Sequence, residues 1–171
     1  MLFVGPLLLG ALPDLLKSLD LIRPKKLSEA YHFVAATENG KPLRLTDYRG
    51  KVVLLNFWAT WCPPCREEMP AMQRLYERYK GEGFTVIALS IDAEGAKVVG
   101  PFVREHRLTF PVGLDQKMTV VEKFGVRALP STFLIDREGR ILAMALGPRE
   151  WDGKDAHALV RSLVLPSNSR G

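Results

Sequence analysis

The sequence predicts an α/β sandwich in which a mixed central β-sheet is flanked by helices. Strand and helix patterns alternate along the chain and are followed by a hairpin and a last helix, an order typical of this fold class. The chain has 171 residues, 47% of them hydrophobic, which is enough for one well-packed domain. We expect this domain to span residues 27–165, between an apolar N-terminal segment (residues 1–26) and a disordered tail (residues 166–171).

The first half of the domain is expected to form a hairpin, a buried strand and a helix. Residues 31–36 and 43–45 flank a turn signal and predict a short N-terminal β-hairpin. Residues 51–58 form a nearly continuous apolar run, which is typical of a strand buried on both faces. The helix that follows, residues 66–79, has apolar side chains three and four positions apart: Met69, Met72, Leu75, Tyr76 and Tyr79.

The second half continues this alternation. We expect four elements before the hairpin: a strand at 84–91, a helix at 96–106, an extended piece at 111–113 and a helix at 118–124 that Gly125 ends. The hairpin and the last helix complete the domain: strands at 131–135 and 141–145, and a helix at 154–164.

The only two cysteines, Cys62 and Cys65, fall between the first buried strand and its helix. A thiolate attacks disulfides, and a helix N-terminus stabilises an anion, so this C-x-x-C spacing indicates dithiol redox chemistry. Cys62 is expected to cap the helix, with Pro63 and Pro64 in its first two positions. We expect Cys62 to be accessible, with a pKa below that of a free cysteine.

Other classes of site and partner fit the sequence less well. A zinc site normally needs four ligands, but there is no second cysteine pair, and the three histidines are scattered. A purely structural disulfide closing two residues would constrain the unfolded chain little. The net charge of +5 is spread along the chain without a basic stripe, so we expect no nucleic-acid partner.

Two motifs resemble the TlpA/ResA group of thiol-disulfide oxidoreductases, in the thioredoxin-like superfamily. They are residues 50–70, GKVVLLNFWATWCPPCREEMP, and residues 129–136, LPSTFLID. The resemblance covers about residues 27–165. It implies a thioredoxin-like fold with an extra strand-helix insertion around residues 91–110. It also implies dithiol-disulfide exchange without metal or organic cofactor.

In that chemistry Cys62 is the nucleophile, Cys65 resolves the mixed disulfide, and the two cysteines end as a redox disulfide. The resemblance further implies a cis peptide before Pro130, which would hold a short β-edge open for a substrate peptide. We expect the substrate to dock on residues around the cysteines: Trp61, Pro63, Pro64, Leu129 and Pro130. Trp58 is expected in the core.

Glu68 is the candidate proton acceptor. Asn56 stands where thioredoxins carry a buried aspartate, and an amide cannot act as a base. Glu68 lies three residues after Cys65, at a position that is associated with the active site in the resembled group. Near two thiols in an apolar setting its pKa should rise, which suits it to take the Cys65 proton. The alternative is a solvated glutamate that merely complements the helix dipole.

The resemblance implies an extracytoplasmic, membrane-associated reductant of protein disulfides, with cytochrome c maturation as one such process and a membrane dithiol transporter as its reductant. The apolar N-terminal segment is similar to a signal h-region without a basic n-region, or to a membrane-surface helix. However, basic residues follow it, which opposes export: Lys17, Arg23, Lys25 and Lys26. A cytoplasmic location therefore stays open.

Two other functions also stay open. A peptide-binding module would use Trp61, Leu129 and Pro130 as a groove, with incidental redox activity. A peroxiredoxin-like peroxidase would carry a proline and a threonine seven and three residues before its cysteine. This chain has Leu55 and Ala59 there, so the peroxidase is the weaker alternative.

Overall fold

The structure is a computed structural model that describes residues 7–165, with side chains from residue 11 onward. It contains five α-helices in this part of the chain: α1 (Leu7–Ser18), α2 (Pro63–Tyr79), α3 (Ala96–Glu105), α4 (Thr119–Lys123) and α5 (Lys154–Val164). Eight strands lie in the same residues: β1 (Ser28–Glu29), β2 (Val34–Thr37), β3 (Pro42–Arg44), β4 (Val52–Trp58), β5 (Phe84–Ser90), β6 (Val112–Leu114), β7 (Ser131–Ile135) and β8 (Arg140–Leu146).

The eight strands form one mixed sheet in the order β1-β8-β7-β4-β5-β6-β2-β3. The strand β4 is central, since it pairs in parallel with β5 and antiparallel with β7. The predicted mixed sheet flanked by helices is therefore confirmed. The helix α3 and the strand β6 follow β5, where the strand-helix insertion was expected.

All seven residues of β4 are buried, as its continuous apolar sequence predicts. Alternate side chains enter two different cores. Val52, Leu54 and Trp58 belong to the core on the α2 and α5 face, whereas Val53, Leu55 and Phe57 join an aromatic core beneath β2, β3 and α4. The sheet is thus covered on both sides, which makes the domain a sandwich.

The N-terminal hairpin differs from its prediction at its first strand, which begins at Val34 instead of residue 31. Residues 28–29 pair with β8 at one edge of the sheet, whereas β2 lies near the opposite edge. The intervening residues 30–33 therefore cross from one side of the sheet to the other, and they are not part of a strand. Within the described residues, only the ends of this segment bond to neighbouring backbone: the Ala30 amide donates to the Gly139 carbonyl, and the Phe33 carbonyl accepts from the Leu45 amide.

The N-terminal segment packs against the domain through α1. This helix contacts α5, and three leucines at or after its C-terminal end are buried in the α2-side core: Leu16, Leu19 and Leu21. Ile22 then forms an isolated bridge with Met144 of β8. Among the described residues, no helix is long and apolar enough to cross a membrane. The expected tail, residues 166–171, lies outside the described residues.

Candidate active site

The two cysteines lie at the junction of β4 and α2 and form a disulfide with a Cα–Cα distance of 5.3 Å. Cys62 is the N-cap of α2, with Pro63 and Pro64 in its first turn, as predicted. Cys65 is fully buried, and Cys62 retains only 5% of its exposure. Cys62 is thus less accessible than expected, because the bond to a buried partner holds it against the α2-side core. It nevertheless remains the more accessible cysteine.

The turn before Cys62 is anchored by Asp92, a residue that the sequence analysis did not identify. The buried carboxyl group of Asp92 accepts hydrogen bonds from the Thr60 amide (2.9 Å) and the Thr60 hydroxyl (2.6 Å). The Ser90 hydroxyl also donates to it, at 2.6 Å. A signal was present in the sequence: Asp92 follows β5, and the carboxyl ends of neighbouring parallel strands meet at one edge of the sheet.

The second motif reaches the same end of the sheet. The Leu129–Pro130 peptide is cis, as the resemblance implied. Ser131 pairs with Phe57 near the end of β4, which places Pro130 beside the segment that leads to the cysteines. The five residues expected to bind substrate differ in exposure: Trp61 (64%) and Pro63 are exposed, Pro64 and Leu129 are half-buried, and Pro130 is buried.

Glu68 lies on α2 three residues after Cys65 and is buried, with 4% of its surface exposed. One carboxylate oxygen, Oε1, accepts a hydrogen bond from Asn56 Nδ2 at 2.9 Å. The other, Oε2, accepts from the Arg149 amide at 3.1 Å and from the Trp151 indole nitrogen at 3.2 Å. Glu68 is therefore not the solvated glutamate of the alternative interpretation.

Burial raises the pKa of Glu68 from its ordinary 4.5 to about 7, and its three hydrogen bonds oppose this rise. The predicted direction of the shift is confirmed. A carboxylate with this pKa exchanges protons readily near neutral pH, which is the property required of a general acid or base.

The loop of residues 148–153 between β8 and α5, which was not predicted from the sequence to be part of the site, supplies two of the three donors to Glu68. Together with α2 it borders a cleft of about 490 Å³ with Glu68 among its lining residues. A tryptophan in a polar loop was the only signal in the sequence, and it does not by itself indicate a partner. Among residues 11–165, no group of three or more potential metal ligands is present.

A model of the AhpC/TSA family matches residues 27–144. The thiol-disulfide oxidoreductase ResA of Bacillus thuringiensis (strain Al Hakam) is 44% identical over 119 residues, which are 70% of this chain and 68% of that protein. The ResA of Bacillus subtilis is 39% identical over 120 residues, 70% of this chain and 66% of that protein. The chain thus spans about two thirds of the length of the curated relatives it matches.

Solved structures that are similar to this chain also belong to proteins of thiol-disulfide exchange. A protein from Chlorobium tepidum that is assigned as the thiol:disulfide interchange protein DsbE superimposes with a TM-score of 0.75 at 33% identity, over 82% of this chain and 98% of that one. A secreted thiol-disulfide isomerase from Corynebacterium glutamicum has a TM-score of 0.74 at 26% identity, over 84% of this chain and 91% of that one.

Proposed function

The chain belongs to the AhpC/TSA family and is a thiol-disulfide oxidoreductase of the ResA kind, and from this premise we propose that it reduces disulfides of extracytoplasmic proteins. The observation that carries the proposal is the disulfide between the N-cap of α2 and a fully buried cysteine three residues later. In this arrangement the Cys62 sulfur can react with a partner protein, and the buried Cys65 sulfur can then re-form the disulfide with Cys62.

In the proposed reaction the Cys62 thiolate attacks one sulfur of a substrate disulfide. A mixed disulfide forms, and the first substrate sulfur leaves as a thiolate. The Cys65 thiolate then attacks the Cys62 sulfur, which breaks the mixed disulfide and releases the second substrate sulfur. The substrate gains two electrons and two protons, and the enzyme ends with the Cys62–Cys65 disulfide.

Glu68 is proposed to accept the Cys65 proton before the second attack. Three observations support this role: its burial, its position one helical turn after Cys65, and its pKa of about 7. A thiol is a poor nucleophile until it loses its proton, so a base one helical turn away would accelerate ring closure.

The substrate is proposed to lie across the surface around Cys62, where Trp61 and Pro63 are the most exposed residues. Trp61 offers a large aromatic surface directly before the nucleophile, and Leu129 and Pro130 precede the start of β7. An extended peptide passing this point would bring its disulfide to Cys62. We place apocytochrome cysteine pairs among such substrates, and a membrane dithiol transporter as the source of electrons for the oxidised enzyme.

The proposed location is extracytoplasmic, at the outer face of the cell membrane or in the periplasm. The secreted isomerase from Corynebacterium glutamicum supports it. Cell fractionation combined with N-terminal sequencing of the mature protein tests it. Recovery of the intact chain in the cytoplasm would contradict the proposed location.

The proposed chemistry is tested by trapping the mixed disulfide. We incubate the reduced Cys65→Ser variant with insulin as a disulfide substrate. We expect a covalent complex to accumulate through Cys62, and dithiothreitol should cleave it. Cys62→Ser is the matched control and should form none, because the attacking sulfur is missing. Equal trapping by both variants, or failure of the native protein to reduce insulin, would reject the assignment.

A further inference from the structure

We propose that Trp151 is a positioning residue for the reaction, whose indole N–H holds the Glu68 carboxylate in place and stabilises its ionised form. The proposal rests on the proton-accepting role proposed for Glu68. Three observations on the structure carry it: the contact itself, the anchoring of the loop that bears Trp151, and the balance of charges around Glu68.

The contact is a buried hydrogen bond between two side chains that come from distant parts of the sequence. Trp151 is 2% exposed, and its Nε1 donates to Glu68 Oε2 at 3.2 Å. The Arg149 amide donates to the same oxygen. Hydrogen bonds from neutral donors favour the ionised form of a carboxylate, and their effect is strongest away from water. Both donors therefore lower the pKa of Glu68 and oppose the rise that its burial causes.

The loop that bears Trp151 is fastened on both sides of this residue. Before it, the Arg149 guanidinium donates to the carbonyls of Leu19 (2.7 Å) and Asp20 (2.8 Å), just after α1. After it, Asp152 accepts from Arg74 of α2 at 2.5 Å and contacts His157 of α5 at 2.8 Å. The loop is thus fixed to α2, to α5 and to the chain just after α1, which restricts the movement of the Trp151 indole relative to Glu68.

The charges that face Glu68 are nearly balanced. The cleft beside it is lined by Glu67 and Arg74 of α2 and by charged residues of the loop: Arg149, Glu150 and Asp152. Of these charges, that of the Arg149 guanidinium lowers the pKa of Glu68, and its effect is smaller than those of burial and of the three hydrogen bonds, one of which comes from the Arg149 amide. The donors therefore decide how far burial raises the pKa of Glu68.

The test is Trp151→Phe, which keeps an aromatic ring in the core and removes only the donor. We expect the pKa of Glu68, measured by ¹³C NMR of its side-chain carboxyl in the oxidised protein, to rise by about one unit. The resonance is identified by its loss in Glu68→Gln. The matched control is Trp58→Phe, since the buried Trp58 Nε1 has no acceptor among the described residues. That variant should leave the Glu68 titration unchanged.

A second measurement is made on protein that retains Trp151, and so it does not depend on the folding of Trp151→Phe. The chain has three tryptophans. We expect the indole N–H resonance of Trp151 to titrate with the same midpoint as the Glu68 carboxyl, and this titration to vanish in Glu68→Gln. A Trp151 indole that does not respond to Glu68, or a Trp58→Phe variant that raises the pKa of Glu68 as much as Trp151→Phe, would overturn the proposal.

Kinetics separates this inference from the function on which it rests. Reduced protein mixed with dithiobis-nitrobenzoate releases one aromatic thiol when Cys62 attacks and a second when Cys65 resolves. We expect Trp151→Phe to move the pH midpoint of the second phase upward together with the pKa of Glu68. A shifted Glu68 titration with an unshifted second phase would support the positioning by Trp151 and reject proton transfer to Glu68.

Discussion

At the scale of single residues, burial and hydrogen bonding act in opposite directions on the Glu68 carboxylate. Burial favours its neutral form, whereas the donors from Asn56, Arg149 and Trp151 favour its charged form. The outcome is a pKa of about 7, at which both forms are populated near neutral pH. A group balanced in this way can accept a proton and return it without a large cost in either direction.

This balance makes the stability of the protein depend on pH. Glu68 ionises near pH 4.5 in the unfolded chain but only near pH 7 in the folded one. Between these values the folded state binds more protons, so the free energy of unfolding falls as pH rises. We expect a fall of about 3 kcal/mol between pH 4.5 and 7, relative to Glu68→Gln. Urea denaturation of the oxidised proteins at several pH values measures this difference.

When the free energy of unfolding of Glu68→Gln is subtracted from that of the native protein, the contributions of the titrating groups that both proteins share cancel. Above pH 8 it should become constant, because Glu68 is then ionised in both states. A free energy difference that is flat from pH 4.5 to 7, or that rises with pH, would contradict the assigned direction of the pKa shift.

Asp92 gives a second prediction at this scale. Thr60→Val keeps the shape of the side chain but removes the hydroxyl that donates to Asp92 at 2.6 Å. The buried Asp92 oxygen would then lose its partner, and we expect the free energy of unfolding to fall by about 2 kcal/mol. Thr46→Val, at an exposed position, is the control and should change it by less than about 0.5 kcal/mol. Equal effects in urea denaturation would show that Asp92 does not anchor this turn.

The residues that could be predicted from the sequence are those with a local pattern. Cys62 and Cys65 are recognisable from their spacing, and Glu68 from its distance to Cys65 along the helix. Trp151 could not be found in this way, because its partner Glu68 lies 83 residues away. The position of Asp92 after β5 indicates the end of the sheet at which it lies, but not its partner Thr60, which is 32 residues away. Contacts of this kind depend on how the elements are arranged, which a local pattern does not contain.

Among the secondary-structure elements, α1 precedes the predicted domain in the sequence but contributes to its hydrophobic core. Its residue Leu16 is buried beside α5, and the chain just after it accepts hydrogen bonds from Arg149. From the sequence, residues 1–26 are expected to be a region of their own, since their apolar pattern resembles a signal or a membrane-surface helix. The same leucines that produce this pattern also fit a protein core, and sequence alone does not distinguish the two uses.

Leucine truncation tests how much α1 contributes. We expect Leu16→Ala to lower the free energy of unfolding by about 3 kcal/mol, since it removes a buried side chain and leaves a cavity. Leu27→Ala, at an exposed position, should cost less than about 1 kcal/mol. Thermal or urea denaturation measures both variants. Similar small effects would mean that α1 is not packed on the domain in solution.

At the scale of the whole molecule, the order of strands and helices follows from the sequence, but the position of each strand in the sheet does not. The continuous apolar run of β4 and the hairpin of β7 and β8 are visible as patterns, and the structure places them together. The pairing of residues 28–29 with β8 is not visible, because two exposed polar residues carry no strand pattern. The crossing of residues 30–33 from that edge to β2 could not be predicted either, because it follows from the order of the strands in the complete sheet.

This arrangement unites the functional groups at one end of the sheet. The cysteines follow β4, Asp92 follows the parallel strand β5, and Pro130 precedes the antiparallel strand β7. Strands that run side by side must bring these ends together whatever their separation in the sequence. The site is thus a consequence of the topology, and α2 adds the reactive sulfur at its N-terminus.

The central claim is that Cys62 attacks and Cys65 resolves, and its most direct test is competitive alkylation of the fully reduced protein. A brief exposure to iodoacetamide at pH 7, followed by peptide mass spectrometry, compares the two cysteines in the same molecule. We expect label at Cys62 several times faster than at Cys65, because Cys62 caps α2 and Cys65 is fully buried. Label at Cys65 first, or at equal rates, would contradict the assignment.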